Sequence, residues 1–210
     1  LGIYREDQYH GGQLIDVYKI YLQTHEDELY DMLMLHNRED LEGMPLILPI
    51  LNYPDFFEHP FLLKNETVLD DRVILQLENP VFLPVSCACR TELGSFSADG
   101  QKAVLEIPLY RGVLKHFYEN YKDYYYLIYE DTAVHKSIGE FVEKSARRKA
   151  TAKTCYTKKE GSFFPLADVW DRPMFQEEYR GKLLFGEYTD GIFECPEFLE
   201  KYIKKIAFAK

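Results

Sequence analysis

From Gln13 to Gln23 the apolar residues Leu14, Val17, Tyr18, Tyr21 and Leu22 recur at the three-and-four spacing of an amphipathic helix. Thr24 predicts the end of that helix and a cap for the next. In Thr24-His25-Glu26-Asp27 an acid follows a hydroxyl by three residues, close to the positive end of a helix dipole. The second helix is predicted to run to about Gly43. Pro45 and Pro49 lack backbone donors and are expected to kink or break the apolar run Leu46 to Leu51, and Asn52-Tyr53-Pro54-Asp55 reads as a turn. The stretch 53–70 mixes Pro54, Pro60 and Asn65 with aromatic residues, the composition of a packed connector and not of a flexible linker.

After Asp71 the period changes to that of strands. Val73–Leu77, Leu83–Cys89, Ala103–Leu109 and Tyr124–Tyr129 are short runs rich in β-branched or aromatic residues, separated by Pro80, Gly94, Asp99-Gly100 and Gly112. Asp99-Gly100 is the expected hairpin turn, because glycine accepts positive φ without steric cost. A helix is predicted from about Ala133 to Ala150, short strands around Thr154 and Leu183, and a final helix from Pro196 to about Ile206. The fold class that follows is α+β, with a helical part over 1–52, the connector over 53–70, and a β-rich mixed domain with two helices over 71–210.

The 210 residues can form one large or two small domains with real cores. No run of about 18 apolar residues suggests a membrane span, and the start lacks the basic flank and apolar run of a secretory signal. The chain therefore reads as cytoplasmic. It opens on Leu1 and enters directly into Arg5-Glu6-Asp7-Gln8, which suggests a piece of something longer. Cys87, Cys89, Cys155 and Cys195 form no Cys-x-x-Cys pair, so reduced thiols are expected and a zinc site is not.

Charge is unevenly placed. The chain carries −10 overall, and residues 1–52 hold ten acids against three bases. Residues 136–159 hold eight Lys or Arg against Glu140 and Glu143, a local balance of +6. A basic segment inside an acidic chain points to separate jobs for the two parts.

On the second predicted helix Leu29, Leu33, His36 and Asp40 fall on one stripe, so an apolar face ends in an ionisable pair. A carboxylate there needs a hydrogen bond, a cation or a metal to stay charged, and Arg38, Arg5 or a neighbouring domain could supply an ordinary ion pair. The run from Gly11 to Met44, with its block His36-Asn37-Arg38-Glu39-Asp40, resembles the C-terminal helical end of RNase H-like exonucleases of the DEDD superfamily, the YprB-like bacterial branch above all. The resemblance covers about a fifth of the chain. It implies that Asp40 is the last of four metal-binding carboxylates. It further implies that His36 takes the place of the tyrosine in the family's Tyr-x-x-x-Asp subgroup, where it orients water; a second subgroup carries a histidine one residue further away.

Such chemistry uses two divalent ions about 3.5–4 Å apart and several carboxylates to hold them. By the same resemblance the Asp-x-Glu pair and the middle Asp of the family precede Leu1. The intact parent would bind magnesium or manganese, this chain alone would bind none, and the upstream part of the nuclease domain would be its partner. Asp16 reads as a solvated acid and Asp7 as the cap of the Gly11-Gly12 turn.

In the later domain Tyr124, Tyr125, Tyr126 and Tyr129 lie in a strand that is apolar on both faces, which buried sheet structure explains. The same rings beside Lys144, Arg147, Arg148, Lys149 and Lys153 could hold nucleic acid, DNA or RNA, with single strands favoured. A solvated helix end would explain the cations equally well. Lone His116 and His135 read as structural. The function expected is part of a metal-dependent 3′–5′ exonuclease, catalytically incomplete in this chain. The alternative is a non-catalytic module that binds nucleic acid or protein.

Overall fold

A computed structural model describes residue 2, residues 4–168 and residues 170–209. The chain is α+β and divides into two compact units, residues 1–59 with 80–86, and residues 60–79 with 87–210. No helix among the described residues is long and apolar enough to cross a membrane.

The first unit is helical: α1 (Gly11–Thr24), α2 (Asp27–Ile47), a 3₁₀ turn (Leu48–Leu51) and α3 (Asn52–Glu58). His10 caps α1, its ring nitrogen accepting from the Gln13 amide (3.4 Å) while the Gln13 side chain accepts from the His10 amide (3.1 Å). His25, left-handed at φ 55°, ends α1 by donating to the Tyr21 carbonyl. Glu26 is the N-cap residue of α2, and Thr24 acts one step earlier, its hydroxyl accepting from the Glu26 amide at 3.4 Å.

The prolines break less than their number suggests. Pro45 sits in the last turn of α2, which runs on to Ile47 past the expected end at Gly43. Pro54 occupies the third position of α3, where its missing N–H had no acceptor within the helix, so Asn52–Asp55 begins a helix and is not a turn. Asn52 and Tyr53 tie α3 to the 80–86 stretch, donating to the carbonyls of Phe82 (2.8 Å) and Val85 (2.9 Å).

The second unit holds three antiparallel sheets. The first orders β1 (Leu62–Val68), β2 (Arg72–Thr91) and β3 (Gly94–Pro108) as β1-β2-β3. Its hairpin turn is Glu92-Leu93, where the Thr91 hydroxyl accepts from the Leu93 amide at 3.1 Å. Gly94 follows at φ 146°, where a Cβ would stand 2.2 Å from the Glu106 carbonyl oxygen. Asp99-Gly100, the expected turn, lies inside β3; Gly100 takes its positive φ of 57° there and bends a continuous strand, as glycine does in a bulge.

The second sheet uses β4 (Tyr110–Phe117), β8 (Tyr156–Pro165), β9 (Met174–Phe175) and β10 (Phe185–Glu187) in the order β4-β8-β10-β9. The third uses β5 (Tyr124–Leu127), β6 (Thr132–His135) and β7 (Arg147–Lys149) in the order β6-β5-β7. The helix expected over 133–150 is therefore replaced by β6, a four-residue helix α4 (Lys136–Gly139), a turn-rich loop and β7. Cross-strand partners outweigh local helix preference here, since β5 pairs with both segments.

The last helix, α5 (Pro196–Ala207), buries Leu199, Tyr202, Ile203 and Ile206 and turns Lys201, Lys204 and Lys205 to solvent. Phe164 of β8 lies in the same core, with ring centroids 5.3 Å from Phe193, 5.7 Å from Trp170 and 6.2 Å from Tyr202. Each fully buried ring of this kind contributes about 1.5–3 kcal/mol over leaving it exposed. The Tyr202 hydroxyl, fully buried, reaches the carbonyls of Pro165 (2.7 Å) and Leu93 (3.0 Å). Tyr202→Phe leaves both without that donor and should lower unfolding stability by about 1–3 kcal/mol, read in urea as a lower midpoint at unchanged slope.

Candidate functional site

α2 carries Leu29 and Leu33 half-buried along one stripe and continues it to His36, with side-chain exposure of 19%, and Asp40, at 46%. His36 Nε2 stands 3.2 Å from Asp40 Oδ2, one helical turn on. The other ring nitrogen, Nδ1, meets the carboxylate of Asp7, whose side chain is 1% exposed. One imidazole therefore lies between two carboxylates. The His36 ring holds the Asp7 carboxyl below its ordinary range, and a hydrogen bond from the Tyr9 amide (2.9 Å) adds to the effect.

Arg5 completes the cluster. Its guanidinium lies 2.8 Å from Asp40 Oδ1, 3.5 Å from Glu39 Oε2 and 3.6 Å from Asp7 Oδ2. Glu39 in turn accepts the backbone amides of Glu6 (2.8 Å) and Asp7 (3.2 Å), which clamps the segment before α1 onto α2. Of the ion-pair partners open to Asp40 on sequence grounds, Arg5 is the one that reaches it. Asp7 is not the cap of the glycine turn, a place His10 takes; it is the second carboxylate on His36. Asp16 is a solvated acid, paired with Lys19 at 2.9 Å.

The donor set does not fit a metal as it stands. Both oxygens of Asp40 face partners, Arg5 and His36, and both ring nitrogens of His36 face carboxylates. Among the described residues no group of three or more His, Cys, Asp or Glu side chains converges as a metal site. The arrangement is a network of ion pairs with an arginine at its centre. Beside it runs an open groove of about 1050 Å³, lined by Asp7, Tyr9, Leu35, Asn37, Arg38 and Leu41 among others, where apolar side chains of α2 lack cover.

The second candidate place is the β6-β5-β7 sheet. Antiparallel pairing puts Tyr125 opposite Lys149 and Leu127 opposite Arg147 on one face, and Tyr126 opposite Arg148 on the other. The Arg147 guanidinium lies 4.5 Å from the Tyr125 ring centroid and donates to the Gly139 carbonyl, while Arg148 lies 4.9 Å from Tyr126. The basic run is thus divided between two faces of a sheet and does not end a helix. Lys144 and Lys153 are exposed, in the loop before β7 and the turn before β8.

The two histidines of the second unit are held by other groups of that unit. The His135 ring accepts from the Ser137 amide (3.3 Å) and caps α4, and the His116 ring donates to the Met174 carbonyl (2.8 Å). On sequence grounds Asp131-Thr132 begins the helix expected after it, whereas Asp131 stands at φ 49° in the turn between β5 and β6. Its carboxylate accepts from the hydroxyls of Tyr126 and Tyr156 and pairs with Lys158. The only signal in the sequence was an acid among tyrosines, which spacing cannot distinguish from a helix start.

Comparison of the chain with family models, with curated proteins and with solved structures finds no match.

Lys158, then the two tyrosine hydroxyls, hold the Asp131 carboxyl well below the usual carboxylate range. A depressed folded value stabilises the fold above the unfolded carboxylate pKa of about 3.9, and that stabilisation is lost as pH falls below it. Asparagine tolerates the left-handed backbone, so Asp131→Asn isolates the charge. The variant should melt below the wild type at neutral pH, with the gap narrowing steadily as pH falls below about 4; a gap constant with pH would refute the assignment.

Proposed function

We propose that the chain is part of a metal-dependent RNase H-like 3′–5′ exonuclease acting on nucleic acid in the cytoplasm, and that it is catalytically incomplete by itself. The observation that carries the reading is the face of α2: His36 and Asp40 stand one turn apart beside an apolar surface the described chain leaves largely uncovered. α1 buries only Leu14 and α2 buries no residue, while Ile15, Tyr18, Met34, Leu41 and Met44 are 45–59% exposed. Helices with so little burial draw their stability from packing against another layer, and a nuclease sheet is such a layer. The block His36-Asn37-Arg38-Glu39-Asp40 on this helix resembles the family.

In this reading Asp40 is one ligand of the parent's metal centre and His36 a group that positions water beside it. The other carboxylates of the centre come from the upstream part of the domain. In the described chain Arg5 neutralises Asp40 instead. That same contact favours the second reading, a non-catalytic binding module in which the cluster only fastens the segment before α1 to α2. The cysteines, all outside disulfides, accord with a reducing compartment.

Release of nucleotides from end-labelled single-stranded DNA and RNA with added manganese separates the two readings. The exonuclease reading expects cutting only by the protein extended upstream. It further expects Asp40→Asn in that protein to reduce cutting by more than the about 10–100-fold typical of outer-shell partners of a metal. Cutting by the 210-residue chain alone would overturn the claim of incompleteness. No cutting by the extended protein would leave the binding module.

A further inference from the structure

We propose that one face of the β6-β5-β7 sheet is a docking surface for single-stranded nucleic acid, with Phe141 and Tyr129 stacking on bases and Lys144 and Lys149 meeting phosphates. Only the class of ligand rests on the reading above; the surface itself is argued from the second unit alone.

Phe141 is 91% exposed and Tyr129 78%, values that leave almost the whole of each ring in water. Both lie beside β7. Tyr129 follows Ile128, whose amide donates to the Ala146 carbonyl (2.9 Å), and Phe141 lies in the loop that leads from α4 into β7. Pairing fixes one face of the neighbouring sheet: Tyr125, Arg147 and Lys149 share it. α4 packs on the same face, since a Cβ at Gly139 would stand 2.8 Å from the Tyr125 ring. Arg147, stacked on Tyr125 at 4.5 Å and bonded to the Gly139 carbonyl, gives that face a fixed planar cation.

Charge selects the partner. Lys144 and Lys149 are exposed and make no salt bridge among the described residues, whereas Lys158 and Lys159 are paired with Asp131 and Glu187. Glu140 and Glu143 share the loop with Phe141, yet residues 136–159 still balance at +6 in a chain of −10. The rest of the protein repels a polyanion, so attraction is confined to this patch. Open aromatic rings beside unpaired cations supply stacking and phosphate neutralisation, the two ingredients of single-strand binding without base-edge readout. A duplex hides its base faces and cannot use the rings.

The test is fluorescence anisotropy with the 210-residue chain and a labelled oligothymidylate, set against a duplex of equal length and against heparin, a polyanion without bases. An oligothymidylate of about 12 nucleotides falls within known single-strand site sizes. Binding should weaken with salt. Phe141→Ala should weaken it at least about fivefold, the lower end of one base stack, and Phe141→Trp should restore it. Lys149→Ala should reduce the slope of log K against log salt by about 0.7. Arg148→Ala, on the opposite face, should weaken binding less than Lys149→Ala does. Because these side chains are exposed or half-exposed, matching thermal melts confirm intact folding.

Absence of single-strand binding at low salt, equal affinity for duplex or heparin, indifference to Phe141→Ala, or equal losses from Arg148→Ala and Lys149→Ala would each overturn the proposal. Binding with this pattern, in a protein whose upstream-extended form cuts nothing, keeps the surface and removes the nuclease. Cutting by the extended form without such binding does the reverse.

Discussion

One buried hydroxyl ties together the elements that frame the aromatic core of the second unit. Tyr202 brings a donor from α5 to the carbonyl of Leu93 in the β2–β3 turn and to that of Pro165 at the end of β8, so helix, hairpin and second sheet share one polar contact inside an aromatic core. Its hydroxyl would be costly to bury without an acceptor, and it is the geometry of two different sheets that supplies one. The surrounding rings of Phe164, Phe193 and Phe198 exclude water and so strengthen the constraint. A helix docked this way fixes which face of β3 and β8 is core. The strand alternation then sends the remaining residues outward.

The first unit is built on the opposite principle. Its helices bury little apolar surface, and the segment before α1 is fastened to α2 by charge: Arg5 to Asp40, Asp7 to His36, and Glu39 to two backbone amides. The Arg5–Asp40 pair is open to solvent and contributes little by itself, whereas the Asp7 carboxylate is shielded, and together these contacts fix the geometry of the segment. The consequence is chemical. A guanidinium cannot lose its proton in a protein, so a metal ion seeking Asp40 must displace a permanent cation and not a water. Any arrangement in which Asp40 binds metal therefore requires the Arg5 segment to sit elsewhere or to find other carboxylates.

How far the sequence could be read follows the range of the forces involved. The helices α1, α2 and α5 were legible because each rests on a local three-and-four repeat, as in Leu199, Tyr202, Ile203 and Ile206. The stretch 133–150 was not legible, because its strands exist only through pairing with Tyr124–Leu127, and Lys, Arg and Ala between them look helical in isolation. Asp99-Gly100 misled for a related reason: glycine's freedom at positive φ serves a bend within a strand as well as a turn between strands, and Thr91 with Gly94 had the stronger claim on the hairpin. At the candidate site the helical spacing placed His36 over Asp40, a four-residue relation. The partners of both came from residues about thirty positions away, beyond any periodicity, and the place of Asp131 was illegible for want of its tertiary donors.

The same residue types thus mean different things in the two units, and burial decides which. In the first, a cation amid carboxylates is consumed by them, and the apolar side chains around it lie bare. In the second, the Arg147 guanidinium is held over the Tyr125 ring and bonded to the Gly139 carbonyl, so its positive charge is fixed in place without being cancelled by an acid. An arginine neutralised by carboxylates attracts no further anion, whereas one stacked on an aromatic ring keeps its field. That difference, and not the count of basic residues along the chain, is why cationic charge on the sheet is left without an acidic partner while that of the helical cluster is not.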